Sequence, residues 1–183
     1  MVTNDSSLRF DFYNKDGSGK SFACIDGCVG VVSVKSILDS PALVDCLQNI
    51  ASIPDKQPLY TLPLVQIKSY EDWPYKVIYA SDGITLPNLL GSLNEFYNEH
   101  PEIPFHKRPN LIHVAGKYVI VRIGKNGGTT RDGTILAPDG FYPMLETTDV
   151  LALFKVISEI QGLVAASKYV KYEYSAMLDK IPF

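Results

Sequence analysis

Few residues that mark a specialised chain are present. Only three cysteines, Cys24, Cys28 and Cys46, occur in 183 residues. An odd number at irregular spacing excludes a disulfide framework and fits reduced thiols in a cytosol. Cys24 and Cys28 lack a second Cys/His pair at zinc spacing, so they read as small buried hydrophobes. The formal net charge is only −3, so no global basic field draws in nucleic acid. The opening residues MVTNDSSLRF carry neither a basic nor an apolar signal-peptide region. Residues 150–166 are the most apolar stretch. They are interrupted by Lys155, Glu159 and Gln161 and read as too short and too polar to span a bilayer. The glycine-rich Gly124-Lys125-Asn126-Gly127-Gly128 lacks the Gly-Lys-Ser/Thr ending of a phosphate loop and reads as a hairpin turn. Internal repeats and low-complexity segments are missing as well. The expectation is a cytoplasmic protein without a membrane partner.

What remains is an ordinary globular composition, 46% hydrophobic and 20% charged, and a length that suits one domain over residues 1–183. Residues 8–13 alternate Leu8, Phe10, Phe12 against Arg9, Asp11, Tyr13, a half-buried strand. The turn-rich NKDGSGK follows, then a returning strand over 21–25, which together predict a hairpin. Residues 29–35 are apolar on both faces until Ser33, so they predict a central strand. Ser40 as cap and Pro41 at the first helical position open a helix whose apolar stripe is Leu43, Cys46, Leu47 and Ile50. The proline-rich 54–75 reads as an irregular connection with one short strand over 64–68. A strand over 76–80 follows, then a helix marked by Leu89, Leu90, Leu93, Phe96 and Tyr97. Strands over 111–114 and 118–123 turn around Ala115-Gly116. Gly127-Gly128, Asp132-Gly133 and Asp139-Gly140 are turn signals, and Thr148 caps a third helix over 149–165, apolar on nearly every side. The order argues for an α/β fold, a mixed sheet flanked by helices.

The richest segment chemically is 28–52. Ser33 and Lys35 are two apart on one strand, so they share a face. A lysine beside a hydroxyl at the end of a core strand is a costly arrangement.

The element order and the Ser33-Val34-Lys35 strand end resemble the PD-(D/E)xK, or restriction-endonuclease-like, superfamily. More narrowly, the chain is similar to an uncharacterised bacterial nuclease-like domain family placed near it. The matching pieces are Phe10-Asp11-Phe12-Tyr13, Gly30-Val31-Val32-Ser33-Val34-Lys35-Ser36, Leu47-Gln48-Asn49-Ile50-Ala51-Ser52 and Arg131-Asp132-Gly133-Thr134-Ile135. The resemblance implies a restriction-endonuclease-like core. It implies a catalytic set of Asp11, Ser33 and Lys35, with Mg²⁺ polarising the phosphate and activating the attacking water. Lys35 would orient the water or stabilise negative charge.

The pattern is degenerate. Ser33 stands where an Asp or Glu belongs, and a hydroxyl adds no charge toward Mg²⁺. Relatives with Ser-x-Lys move the acid onto the following helix, where this chain has Gln48 and Asn49. The nearest helical acid, Asp45, lies one turn short, so the metal candidates are Asp11 and Asp45. The helix that usually opens the superfamily core has too little room in the seven residues before the first strand.

Competing features read as ordinary structure. Gln66-Ile67-Lys68 repeats the polar-x-Lys pattern without a capped helix after it. His106 and His113 read as plain surface and core histidines, and His106-Lys107-Arg108 as a solvated loop that could touch phosphate. Trp73 with Tyr70 and Tyr75 reads equally as a binding surface or as a cluster under a loop. Two functions follow. The first is a nuclease-like domain that only binds, as an immunity protein, inhibitor or non-catalytic partner. The alternative is a Mg²⁺-dependent nuclease of a bacterial defence or restriction system. The apolar third helix or the 70–75 segment is the expected contact for a protein partner or a second copy. Nucleic acid is the weaker expectation.

Overall fold

The computed structural model describes residues 2–3, 9–13, 19–23, 27–55, 60–61, 72–130, 132–144, 148–167 and 170–171. In chain order the strands and helices begin with β1 (Val2–Thr3), β2 (Arg9–Tyr13), β3 (Gly19–Ala23), β4 (Cys28–Leu38) and α1 (Ser40–Ala51). They continue with β5 (Tyr60–Thr61), β6 (Tyr75–Gly83), α2 (Leu86–Glu99), β7 (Leu111–Val114) and β8 (Tyr118–Arg122). The chain then forms β9 (Gly128–Thr129), β10 (Ile135–Leu136), β11 (Phe141–Met144), α3 (Asp149–Ser167) and β12 (Val170–Lys171).

The sheet runs β1-β4-β6-β7-β8-β11. β4, β6 and β7 are parallel, and β8 and β11 follow antiparallel. The protein is thus α/β, with five main strands in a mixed sheet, three helices, and the short β1 added beside β4. α1 and α2 are the crossovers between the parallel strands. Adding strands in one direction with right-handed crossovers puts both helices on one face. The core there joins Leu43, Leu47 and Ile50 of α1, Leu89, Leu93 and Phe96 of α2, and Ile78, Ile112 and Ile120 of the sheet. α3 covers the opposite face, where Val156, Ile160 and Leu163 lie on Tyr75, Val77, Leu111 and Val119. Gly30 lets it come close, since a Cβ there would stand 3.0 Å from Ile160 Cδ1.

Several expectations hold. The first helix buries Leu43, Cys46, Leu47 and Ile50, the stripe its periodicity gives. β2 and β3 pair antiparallel as a hairpin. β7 and β8 turn at Gly116, whose φ of 69° is the left-handed conformation that glycine tolerates.

Others need correction. The cap of α1 is Asp39, whose Oδ1 accepts the Ala42 N–H at 2.8 Å, and Ser40 is already helical. β4 is not central: β1 pairs with it only at Gly30 and Cys28, and the middle of the sheet is β6 and β7. Its apolar faces are explained by α1 on one side and α3 on the other. Trp73 is buried on Val29 with Ile160 and Leu163, a packing cluster under α3 rather than a binding surface. Tyr70, Cys24, Arg131 and the strand expected over 64–68 lie outside the described residues.

α3 departs most. It is 19 residues long with a mean hydropathy of 1.6, enough by length and composition alone to cross a membrane, which overturns its reading as too short and too polar. It still packs on the sheet through one side. Its other side leaves Val150, Leu153 and Phe154 at 76%, 59% and 68% exposure, and Leu151 and Ile157 are also exposed.

Candidate functional site

The strand end of β4 and the first turns of α1 bring the predicted polar residues together. Ser33 and Lys35 project toward α1, because the alternation that turns Val32 and Val34 to the α3 face turns them to the other. Ser33 Oγ lies 3.2 Å from Cys46 Sγ. Lys35 Nζ donates to Asp45 Oδ2 at 2.5 Å, and Asp45 Oδ1 accepts from Asn49 Nδ2 at 3.0 Å. Asp45 therefore meets Lys35 although it sits one turn short of the expected place, since the long lysine stem spans the gap. The hydrogen bond from Lys35 holds the Asp45 carboxyl below the usual carboxylate range. The same bond raises the Lys35 ammonium. Both are on the protein surface, so the pair is water-screened.

Asp11 is the missing member. Its strand β2 belongs to the two-stranded β2-β3 sheet, while the neighbour of β4 on that side is β1. The Asp11 side chain lies outside the described part of the structure. Mg²⁺ takes several oxygen ligands at near-octahedral geometry. Among the described residues no three His, Cys, Asp or Glu side chains converge to hold a metal. The described side chains around Lys35 thus do not fit a Mg²⁺ site, and they support no step through one.

The other polar candidates are occupied structurally. His106 Nε2 and Lys107 Nζ lie 3.2 Å and 3.3 Å from Asp55. The Arg108 guanidinium sits 4.3 Å above the Tyr97 ring. This basic cluster is tied to the segment after α1 through Asp55 and to α2 through Tyr97.

Two further features bear on function, of which only the first was invisible in the sequence. His113, taken as a plain core histidine, donates from Nε2 to Asp149 Oδ1 at 2.8 Å. Asp149 also accepts the Gly116 N–H, at 2.9 Å to Oδ1 and 3.1 Å to Oδ2. The backbone bond from Gly116, then the one from His113, keep the Asp149 carboxyl ionised to lower pH than usual. This joins the first turn of α3 to the β7-β8 turn. The only sequence signal was a polar residue in an apolar strand. The second feature is the exposed apolar side of α3, continued onto the sheet by Val34, which is 66% exposed and lines the same cavity as Leu153.

Compared with protein-family models the chain matches none, and it matches none of the curated proteins either.

Proposed function

We propose that this chain is a non-catalytic, nuclease-like domain that binds another protein through the outer side of α3, in the manner of an immunity protein or inhibitor. The observation that carries the reading is the row Val150, Leu151, Leu153, Phe154 and Ile157, all exposed on one helix, beside the exposed Val34. An apolar patch rimmed by polar residues marks a protein contact. A bilayer is a poorer occupant, because Ala152, Val156 and Ile160 of the same helix are spent on the sheet. The unit β4–α1–β6, with Ser33-Val34-Lys35 on the strand before the helix, supports descent from a restriction-endonuclease-like core. The buried thiol of Cys46 suits a reducing cytoplasm.

The test is isolation of the chain with its native partner from its own cells, with mass photometry of the complex. The pair Leu151→Glu and Phe154→Glu should abolish the complex, and Lys35→Ala with Asp45→Ala should leave it intact. The reverse pattern would sink the reading.

A second reading, a Mg²⁺-dependent nuclease, is favoured by one contact, the 2.5 Å approach of Asp45 to Lys35. It makes Asp45 the displaced acid beside Asp11. Robust Mg²⁺-dependent cleavage of DNA or RNA that is lost in Asp11→Ala, Lys35→Ala and Asp45→Ala would establish it in place of the first. A nuclease should also gain thermal stability with rising Mg²⁺.

A further inference from the structure

The sheet face under the start of α3 holds a cavity of about 360 Å³, at the small end of the roughly 300–1,000 Å³ usual for ligand pockets. Its floor follows from the strand register. Val34, Tyr79 and His113 pair side by side across the parallel β4, β6 and β7, and Val32, Val77 and Leu111 form the row behind them. Leu153 and Val156 of α3 close the opposite wall. The row that carries His113 lies toward the carboxyl ends of parallel strands, where α/β sheets place their ligands.

Three polar residues, His113, Tyr79 and Asp149, interrupt the apolar wall. The His113 side chain is only 7% exposed, and its Nε2 is committed to Asp149. A carboxylate can only accept, so Nε2 carries a proton, and in the neutral tautomer that this bond selects Nδ1 is an acceptor. Tyr79 meets the imidazole edge-on, ring centroids 5.3 Å apart at 75°. Among the described residues, neither His113 Nδ1 nor the Tyr79 hydroxyl has a hydrogen-bond partner. A built hydrogen-bonding edge on an apolar cavity selects by polarity as well as by shape.

We infer that this cavity binds a small uncharged aromatic or alicyclic alcohol or phenol, whose hydroxyl donates to His113 Nδ1 and accepts from Tyr79. An anion would meet the Asp149 carboxylate, which lines the cavity beside the imidazole. A cation would lose its water for a carboxylate whose oxygens already accept from His113 and the Gly116 N–H. The apolar rings of a neutral ligand would cover Val77 and Leu111. The site lies on the face of the sheet opposite Ser33 and Lys35. It shares Val34 and Leu153 with the protein contact proposed above, but its polar edge of His113 and Tyr79 lies outside that contact.

The test is titration of the full chain at pH 8 with 2-naphthol and with 2-methoxynaphthalene, which has the same rings and no hydroxyl donor. Binding is read by NMR, including the ¹⁵N shift of His113 Nδ1. The hydroxyl should bring about tenfold tighter binding, the worth of one neutral hydrogen bond, and should move the Nδ1 resonance. His113→Phe should bring the two probes to equal affinity. Leu153→Trp, at a largely exposed position where folding is safe, should block both. Leu151→Glu with Phe154→Glu should leave both affinities unchanged. Equal affinity of the two probes for the natural chain, no binding of 2-naphthol, or binding that persists in Leu153→Trp would each overturn the inference.

Discussion

Replacing Asp72 with alanine should destabilise the protein far more than its position before a strand suggests. Arg122, at the end of β8, is 3% exposed in its side chain, and Asp72 is 21% exposed. Arg122 Nη2 donates to Asp72 Oδ1 at 2.8 Å, Nη1 donates to the Phe105 carbonyl, and the guanidinium stacks 4.0 Å over the Phe105 ring. Burial lowers the Arg122 pKa, and the Asp72 charge works against that shift. Asp72→Ala leaves the cation buried without its hydrogen-bonded counter-charge, and among the described residues only the more weakly acting Asp139 remains. Breaking a buried pair by removing one partner costs about 3–5 kcal/mol, and the partial exposure of Asp72 admits water and places this one near the lower end, about 2–3 kcal/mol. For a chain of this size that is a fall in Tm of about 5–10 °C. Asp72→Asn keeps a hydrogen-bond acceptor and loses only the charge, so its loss should be about half as large. Urea denaturation followed by circular dichroism gives all the values, with an unchanged slope confirming that the native state moved. A loss under about 0.5 kcal/mol for Asp72→Ala would show that the guanidinium is hydrated despite its burial. Equal losses for alanine and asparagine would show that the charge contributes nothing.

On α1, Leu47→Ala should cost about 2–5 kcal/mol by opening a cavity in a filled core, while Val44→Ala, at a partly exposed position of the same helix, should cost under about 1 kcal/mol. Urea midpoints of the two variants make the comparison, and similar midpoints would mean that the helix is not seated on the sheet as described. At the β4–α1 site, the Asp45 carboxyl should titrate by NMR below an ordinary aspartate and return toward it in Lys35→Met. Because its folded pKa is depressed, the stabilisation from this group is complete above the unfolded carboxylate pKa and fades as pH falls through the folded one.

Local signals in the sequence carried as far as local physics reaches. The 3.6-residue spacing of Leu43, Cys46, Leu47 and Ile50 found α1 and its buried side, because periodicity is a property of the segment itself. Its start was misplaced by one residue, because Asp39 and Ser40 are both good caps before Pro41 and the geometry alone decides between them. The placement of β4 was not legible. An apolar run covered by helices on both faces looks the same near a sheet edge as at its centre. The Lys35–Asp45 contact was half visible, since the spacing placed the acid one turn away and only the reach of the lysine closed the distance. The His113–Asp149 bond could not be read at all, because the partners are far apart in sequence and neither stands in a motif. The apolar character of α3 was plain, but which of its sides the sheet takes depends on the whole topology.

The division of labour between the helices has a consequence for how the chain emerges from the ribosome. α1 and α2 are connections between strands, so their face of the sheet is covered as each parallel strand is added. The opposite face, with Val32, Val77, Leu111 and Val119, waits for α3, which is made after every strand of the main sheet. A nascent chain that has not yet released residues 149–167 therefore presents a finished but half-clothed sheet. During that interval a chaperone has an extended apolar surface to hold, and any premature stop before Asp149 leaves a product that must aggregate or be degraded.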